Sequence, residues 1–238
     1  MARTRRVMVG GLAYHVSNRA NPGLPMYEDE ADYALFEAII GEARRRTSMR
    51  LLAYCLMPDH WHLVLWPSED GQLSSFMRWL TLTHAQRWHT RRRNLGSGHL
   101  YQGRFKSFIV QPDGHVLEVC RYIERDPLRT GLVRRLDHWR WSSLWQLSHS
   151  GKARIPIDEG PLPHPPDWLR VAREPQNEPE LLALRRSIER GAPFGEPRWC
   201  DDMVSRFGLI STIRPRGRPR SGSQRRGAAP QDRGYASL

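Results

Sequence analysis

Lysine is almost missing from this chain. Of its 37 basic residues only Lys106 and Lys152 are lysines, so the other 35 are arginines. Against 25 acidic residues the formal charge is +12, and the isoelectric point lies near 10.5. A genome-wide preference for arginine explains the scarcity of lysine but not the net charge. An excess of guanidinium groups, whose planar forks grip phosphate oxygens in pairs, suggests a polyanionic partner, nucleic acid above all. Cysteine is scarce as well. Cys55, Cys120 and Cys200 lie far apart with no C-x-x-C pair, which excludes a zinc knuckle and a disulfide framework and suits a reducing cytosol. No apolar run approaches the ~20 residues that span a bilayer, and the opening "MARTRRVMVGG" lacks an apolar signal core. A cytoplasmic, nucleoid-associated protein with no membrane partner is expected. No G-x-x-x-x-G-K-[ST] loop is present either, so nucleotide-driven chemistry is not indicated.

What is present suffices for one good core with an appendage. The chain has 238 residues, 39% of them hydrophobic, and a mean hydropathy of −0.64 demands a very polar surface. "LAYHVSN" (12–18) reads as a strand, and a Gly/Pro-rich turn follows. From Glu28 to Thr47 the apolar residues Leu35, Phe36, Ile39, Ile40 and Ala43 recur at helical spacing, with acids at the start and Arg44–Arg46 at the end, as the helix dipole favours. Arg50–Met57 and His60–Trp66 read as strands around a "PD" turn. Gln72–Arg92 reads as a second helix and Arg104–Val110 as a fourth strand. Asp113 can cap a third helix, which Pro127 should stop. The order β-α-β-β-α-β followed by a helix predicts an α+β, ferredoxin-like fold: an antiparallel sheet with two helices on one face. The other face is left for a ligand or for the third helix. This body extends over 1–149. A proline-rich extension over 150–210 follows, with short helices at Glu180–Arg190 and Asp201–Leu209. The stretch 211–238 is basic and has too few large apolar residues to pack.

The segment "MPDHWHLVLWP" (57–67) carries the first chemical signal. Strand side chains alternate, so His60 and His62 share one face and Trp61 takes the other. Two neutral imidazoles side by side make half of a metal site, although on its own such a pair is more often simply solvated. On the third helix Val116, Cys120 and Ile123 form the core stripe, while Tyr122 and Asp126, four apart, share another face. These two suit a surface pair at a helix end, or a nucleophile and a third metal ligand beside the histidines.

Taken together, "CLMPDHWHLVLWP", "GHLYQGRFKSFIV" and "CRYIERDPLRTGLV" resemble the single-tyrosine HUH transposases, and within them the REP-associated tyrosine transposases. "YHVSNR" near the start and the late "GRPR" fit the same branch. The resemblance covers residues 1 to about 146 and implies several roles. His60, His62 and Asp126 would hold Mg2+ or Mn2+, and Tyr122 would be the nucleophile. The activity implied is a single-strand DNA endonuclease and strand transferase acting on palindromic hairpins through a 5′-phosphotyrosine. Where this chain has Asp126, relatives more often carry an amide; a carboxylate remains a good hard ligand. The REP-associated branch implies a monomer, with a dimer as the alternative.

Tyr101, Arg104, Phe105 and Lys106 are candidate DNA contacts, aromatics for unpaired bases and cations for phosphates. Arg125 is a further candidate and a cation to assist the phenol of Tyr122. Arg214, Arg216, Arg218 and Arg220 in "RPRGRPR" resemble an AT-hook that enters a narrow minor groove; a generic basic tail is the alternative. Arg44–Arg46 and Arg91–Arg93 suit either duplex phosphates or solvated helix ends. Trp139, Trp141 and Trp145 are expected to seal the end of the sheet, and His15 to sit near the histidine pair without ligating. His84, His89 and His99 have no assigned role. Competing functions are a non-cleaving DNA-binding descendant, a replication or plasmid-transfer nickase, and a zinc hydrolase.

Overall fold

The computed structural model describes residues 6–93, 98–149 and 155–214. Arg216, Arg218 and Arg220 therefore lie outside the described residues, as does nearly all of the basic tail. Four antiparallel strands, β1 (Ala13–Arg19), β2 (Arg50–Met57), β3 (His60–Trp66) and β4 (Lys106–Val110), form a sheet in the order β2-β3-β1-β4. Helices α1 (Glu30–Thr47) and α2 (Gln72–Arg92) share an apolar cluster with Tyr14, Val16, Trp61, Leu63 and Leu65 on one face. The opposite face of β2 and β3 is covered by α3 (Gly114–Glu124), whose Val116, Val119, Cys120 and Ile123 join Ala53, Cys55, Met57 and Val64. The α+β arrangement expected from the pattern is the one found. The third helix takes only part of the face left to it.

Local chemistry sets the boundaries. Asp29 caps α1 by accepting from the Asp32 N–H at 2.9 Å, and Asp113 caps α3 by accepting from the His115 N–H at 2.9 Å. The start of α1 at Glu30 rather than Glu28 follows from that cap. The third helix does not run on to Pro127. It ends at Glu124, and Pro127 lies in the first turn of a separate short helix, α4 (Asp126–Arg129), where a missing N–H costs nothing. The fourth strand is also shorter than its sequence suggests, so Arg104 and Phe105 precede it.

The remaining helices, α5 (Ser143–Ser148), α6 (Trp168–Arg173), α7 (Glu178–Arg190), α8 (Pro197–Phe207) and α9 (Ile210–Ile213), fold back on the sheet. The weak periodicity of the proline-rich stretch conceals α6, and α8 starts at Pro197 rather than Asp201. Ile155, Met203, Val204 and Leu209 enter the helix-side cluster, while Trp168, Ala172, Leu184 and Phe194 enter the α3-side cluster. The same segments cover both sheet edges. On β2, the Leu56 N–H donates to Trp141 O at 2.9 Å, and Trp139 Nε1 donates to Leu56 O at 3.0 Å. On β4, the Phe194 N–H donates to Ile109 O at 2.9 Å. Pairing removes the bare edges through which sheets associate. Trp139 and Trp141 thus close the sheet as expected, whereas Trp145 stacks on His149 at 4.6 Å.

In two arginine clusters with the composition of a DNA contact, Arg44, Arg91 and Arg92 are engaged within the fold. Arg44 bonds the carbonyls of Met49 and Pro156 and the carboxylate of Asp158. Arg91 and Arg92 pair with Asp29, Asp32 and Glu28, joining the end of α2 to the start of α1. Among the described residues no helix is long and apolar enough to cross a membrane.

His84, which has no assigned role from sequence, is a core residue of α2. Its Nδ1 lies 2.5 Å from Tyr101 Oη and its ring 4.3 Å from Phe36. Burial pushes its pKa down to about 3, with the charge of Arg92 acting in the same direction. Between that value and the 6.5 of an unfolded chain, unfolding takes up a proton, so stability falls as the solution is acidified. The slope is about 1.4 kcal/mol per pH unit. His84→Phe should remove this contribution. Denaturant melts at pH 7 and pH 5 should show a pH-dependent loss about 2 kcal/mol smaller in the variant.

Candidate active site

Alternation along β3 turns Trp61 into the helix-side core, fully buried, and leaves His60 and His62 on the α3 side. The break between α3 and α4 brings Asp126 across to them. Asp126 Oδ2 lies 3.1 Å from His60 Nε2 and 3.5 Å from His62 Nε2, and one ligand atom from each of the three residues falls within 4.8 Å of the others. Asp126 Oδ1 accepts from the Arg129 guanidinium at 2.6 Å. Burial opposes ionisation of this carboxyl, but hydrogen bonds from both imidazoles and the charge of Arg129 hold its pKa well below the carboxylate range. The pKa of His62 is pushed down chiefly by burial, which keeps the ring neutral.

The outer nitrogens of both rings are engaged. His60 Nδ1 lies 2.6 Å from Asp59 Oδ1, and His62 Nδ1 lies 2.8 Å from His15 Nε2. Each ring is thereby oriented with Nε2 toward Asp126. Two imidazole nitrogens and an ionised carboxylate form a donor set that fits a small divalent cation. His15 sits beside the pair rather than in it, as the first strand's position in the sequence leads one to expect.

Tyr122 lines the same cleft, of ≈ 720 Å³, with His60, His62 and Asp126. The Arg129 guanidinium lies 4.1 Å from the centre of its ring and also bonds its carbonyl at 2.8 Å. Burial raises the phenol pKa. Asp126 adds to that, while the charges of Arg129 and Arg185 and a hydrogen bond from Arg185 oppose it, and the net shift is upward. Arg185 comes from α7, as do Ile188 and Glu189 in the wall of the cleft. The mouth carries Arg19, Arg104 and Lys106, and a smaller cleft of ≈ 210 Å³ shares Arg104, Lys106, Ile188 and Glu189 with it.

Two residues expected at the DNA, Tyr101 and Arg125, lie elsewhere. The Tyr101 hydroxyl accepts from Trp61 Nε1 at 3.3 Å and bonds His84 on the helix side, so its ring is part of the packing there. Phe105 packs against that same cluster with its ring 4.2 Å from the guanidinium of Arg6, and it lines the smaller cleft beside Arg104 and Lys106. Arg125 turns from Tyr122 to the C-terminal end of α6, donating to Ala172 O at 2.7 Å and Arg173 O at 2.6 Å. These carbonyls need a donor, and the helix dipole favours a cation there. Arg214 is exposed after α9 and does not line the cleft. Two further cations at the phenol escape the sequence reading. Arg129 was legible, three positions after Asp126 on a helical turn. Arg185, remote in sequence on another helix, had no local signal.

A family model described as IS200-like transposase matches residues 8–126. No curated protein matches the chain. Among solved structures, a REP-associated tyrosine transposase bound to a REP hairpin is similar at 21% identity and a TM-score of 0.51, covering 65% of this chain and 90% of that one. A putative transposase from Deinococcus radiodurans R1 is also 21% identical, with a TM-score of 0.37, over 52% of this chain and 97% of that one.

Since a guanidinium beside a phenolate favours ionisation, Arg185→Ala should raise the pKa of Tyr122. NMR titration of the protein labelled with 13C at tyrosine Cζ reads this directly, and an unchanged midpoint would contradict the pairing of Arg185 with the phenol.

Proposed function

The chain belongs to the IS200-like transposase family, and from that premise we propose that it cuts and rejoins single-stranded DNA beside palindromic hairpins through Tyr122. The convergence of Tyr122, His60, His62 and Asp126 on one cleft with a cationic mouth supports this reading most strongly.

In the proposed reaction Tyr122 loses its phenolic proton and Oη attacks the scissile phosphorus. The P–O3′ bond breaks, leaving a 5′-phosphate ester on Tyr122 and a free 3′-hydroxyl that takes up a proton. Arg129 and Arg185 lie where they stabilise the phenolate against the burial that opposes it. His60, His62 and Asp126 would hold Mg2+ or Mn2+, which supplies charge to polarise the phosphate and offset the charge built up in the transition state. Arg19, Arg104 and Lys106 would meet neighbouring phosphates, and the adjoining smaller cleft gives an unpaired strand a path past β4. A second strand's 3′-hydroxyl can reverse the step, because the phosphotyrosine retains the energy of the phosphodiester. This agrees with the lack of a nucleotide-binding loop.

A hairpin substrate is in keeping with the DNA carried by the similar REP-associated structure. Tyr122 reaches the cleft of His60, His62 and Asp126 within its own chain, and a monomer is proposed, acting in the cytoplasm at the nucleoid. Arg214, Arg216, Arg218 and Arg220 are proposed to contact the duplex stem.

The decisive experiment is incubation with a labelled palindromic single strand and Mg2+ or Mn2+, read on a denaturing gel. The unaltered protein should form a covalent adduct, and Tyr122→Phe should form none while binding with nearly unchanged affinity. Adduct in that variant would refute the nucleophile. Binding without adduct in the unaltered protein would favour a non-cleaving descendant. Removing residues 215–238 should weaken hairpin affinity and flatten its salt dependence, by about 0.9 in log–log slope for each phosphate that the tail neutralises.

A further inference from the structure

His15 stands apart from the candidate ligands, yet it is built into their geometry. It lies on β1, adjacent to β3, in a register that pairs Ser17 with His62 and His15 with Val64. Its ring is stacked 4.8 Å from Phe108 of β4 and is 1% exposed. Its Nε2 meets His62 Nδ1 at 2.8 Å. Such a pair shares one proton, and which ring donates it decides what His62 can do. If His15 donates, a neutral His62 carries its own proton on Nε2 and gives it to the Asp126 carboxylate, the arrangement that suits the site without a cation, and has no lone pair to offer there. If His62 donates from Nδ1, its Nε2 lone pair is free and directed at the other two ligands.

We propose that His15 is a positioning residue of the metal site, its Nε2 lone pair accepting the His62 Nδ1–H and so fixing the tautomer and ring rotation with which His62 binds a cation. This rests on the reading that His60, His62 and Asp126 hold a divalent ion. His60 has a counterpart in Asp59, but the two supports differ in kind. Asp59 is an exposed acid whose side chain is 56% accessible, and water can replace it. His15 is sealed in, 1% exposed, beside a His62 ring that is itself buried. In that state His15 carries its proton on Nδ1, which is buried with no hydrogen-bond partner among the described residues, so one donor stays unmet where buried polar atoms are ordinarily paired. Here the ring is held by stacking on Phe108 and by its single bond to His62, so its orientation serves His62 rather than itself.

The test uses Zn2+ as a diamagnetic probe and Mn2+ as a second ion, on the full chain. In 15N-labelled, Zn2+-loaded protein, long-range proton–nitrogen correlation should show His62 protonated at Nδ1 and His15 accepting at Nε2. His15→Phe keeps a stacking ring but removes the acceptor. Calorimetry should show it binding either ion roughly 10- to 100-fold more weakly, as removal of an orienting partner of a ligating histidine typically does. His15→Gln places an amide oxygen near the position of Nε2 and should recover most of the affinity. Thermal melts establish that the variants are folded, and the tautomer measurement needs no variant at all. Unchanged affinity in His15→Phe, or a loaded His62 protonated at Nε2, overturns the proposal. His62→Ala separates the two readings. If it leaves metal binding intact, the metal site itself is wrong and this inference falls with it. If it abolishes binding while His15→Phe does not, only the role of His15 is refuted.

Discussion

The site depends on one buried carboxylate. Taking an ionised carboxyl out of water costs several kcal/mol unless it is paired and hydrogen-bonded. Asp126 meets that cost with Arg129 on one oxygen and the two imidazoles on the other. The same interactions draw α4 onto β3 and hold the Tyr122 end of α3 in place. Pro127 makes the arrangement possible, because the helix has to break at this point for Asp126 to turn toward the sheet.

Around that carboxylate the fold works as a clamp. The ferredoxin-like sheet supplies the histidines, but its edges and much of its α3 face are closed by chain beyond the family match, which ends at residue 126. Residues 139–142 pair with β2, residues near Phe194 pair with β4, and α7 brings Arg185 and Glu189 to the phenol and the cleft. Glu124, on the far side of α3 from the cleft, ties this extension down. Its carboxyl accepts from Ser143 Oγ at 2.5 Å and Trp168 Nε1 at 2.8 Å. Helix α3 is thus held between the sheet and the extension, which limits how far Tyr122 can stray from His60, His62 and Asp126.

Charge is distributed less simply than composition suggests. Several arginines suited to phosphate by their sequence surroundings are tied to acids or to helix-end carbonyls: Arg44, Arg91, Arg92 and Arg125 hold elements together. What is left toward the cleft is a small set, Arg19, Arg104 and Lys106, set against a pair of guanidinium groups on Tyr122. A strongly basic protein can therefore direct only a few cations toward its cleft, with much of its charge serving structure.

The strand period, the helical spacing and the capping Asp113 were enough to predict the sheet, the three principal helices and the common face of His60 and His62, since all of these depend on neighbours a few residues away. Tyr122 and Asp126 were likewise readable as a pair one turn apart. Local pattern could not say which way Arg125, Tyr101 and Phe105 turn, because their partners (the carbonyls of α6, the Trp61 indole, the side chain of Arg6) are distant in sequence. Nor could it reveal Arg185 beside Tyr122 or the bond between His15 and His62. The sequence by itself determined which residues are capable of the chemistry. Only the tertiary structure decided which of them meet, because hydrogen bonds and ion pairs act over a few ångströms and ignore separation along the chain.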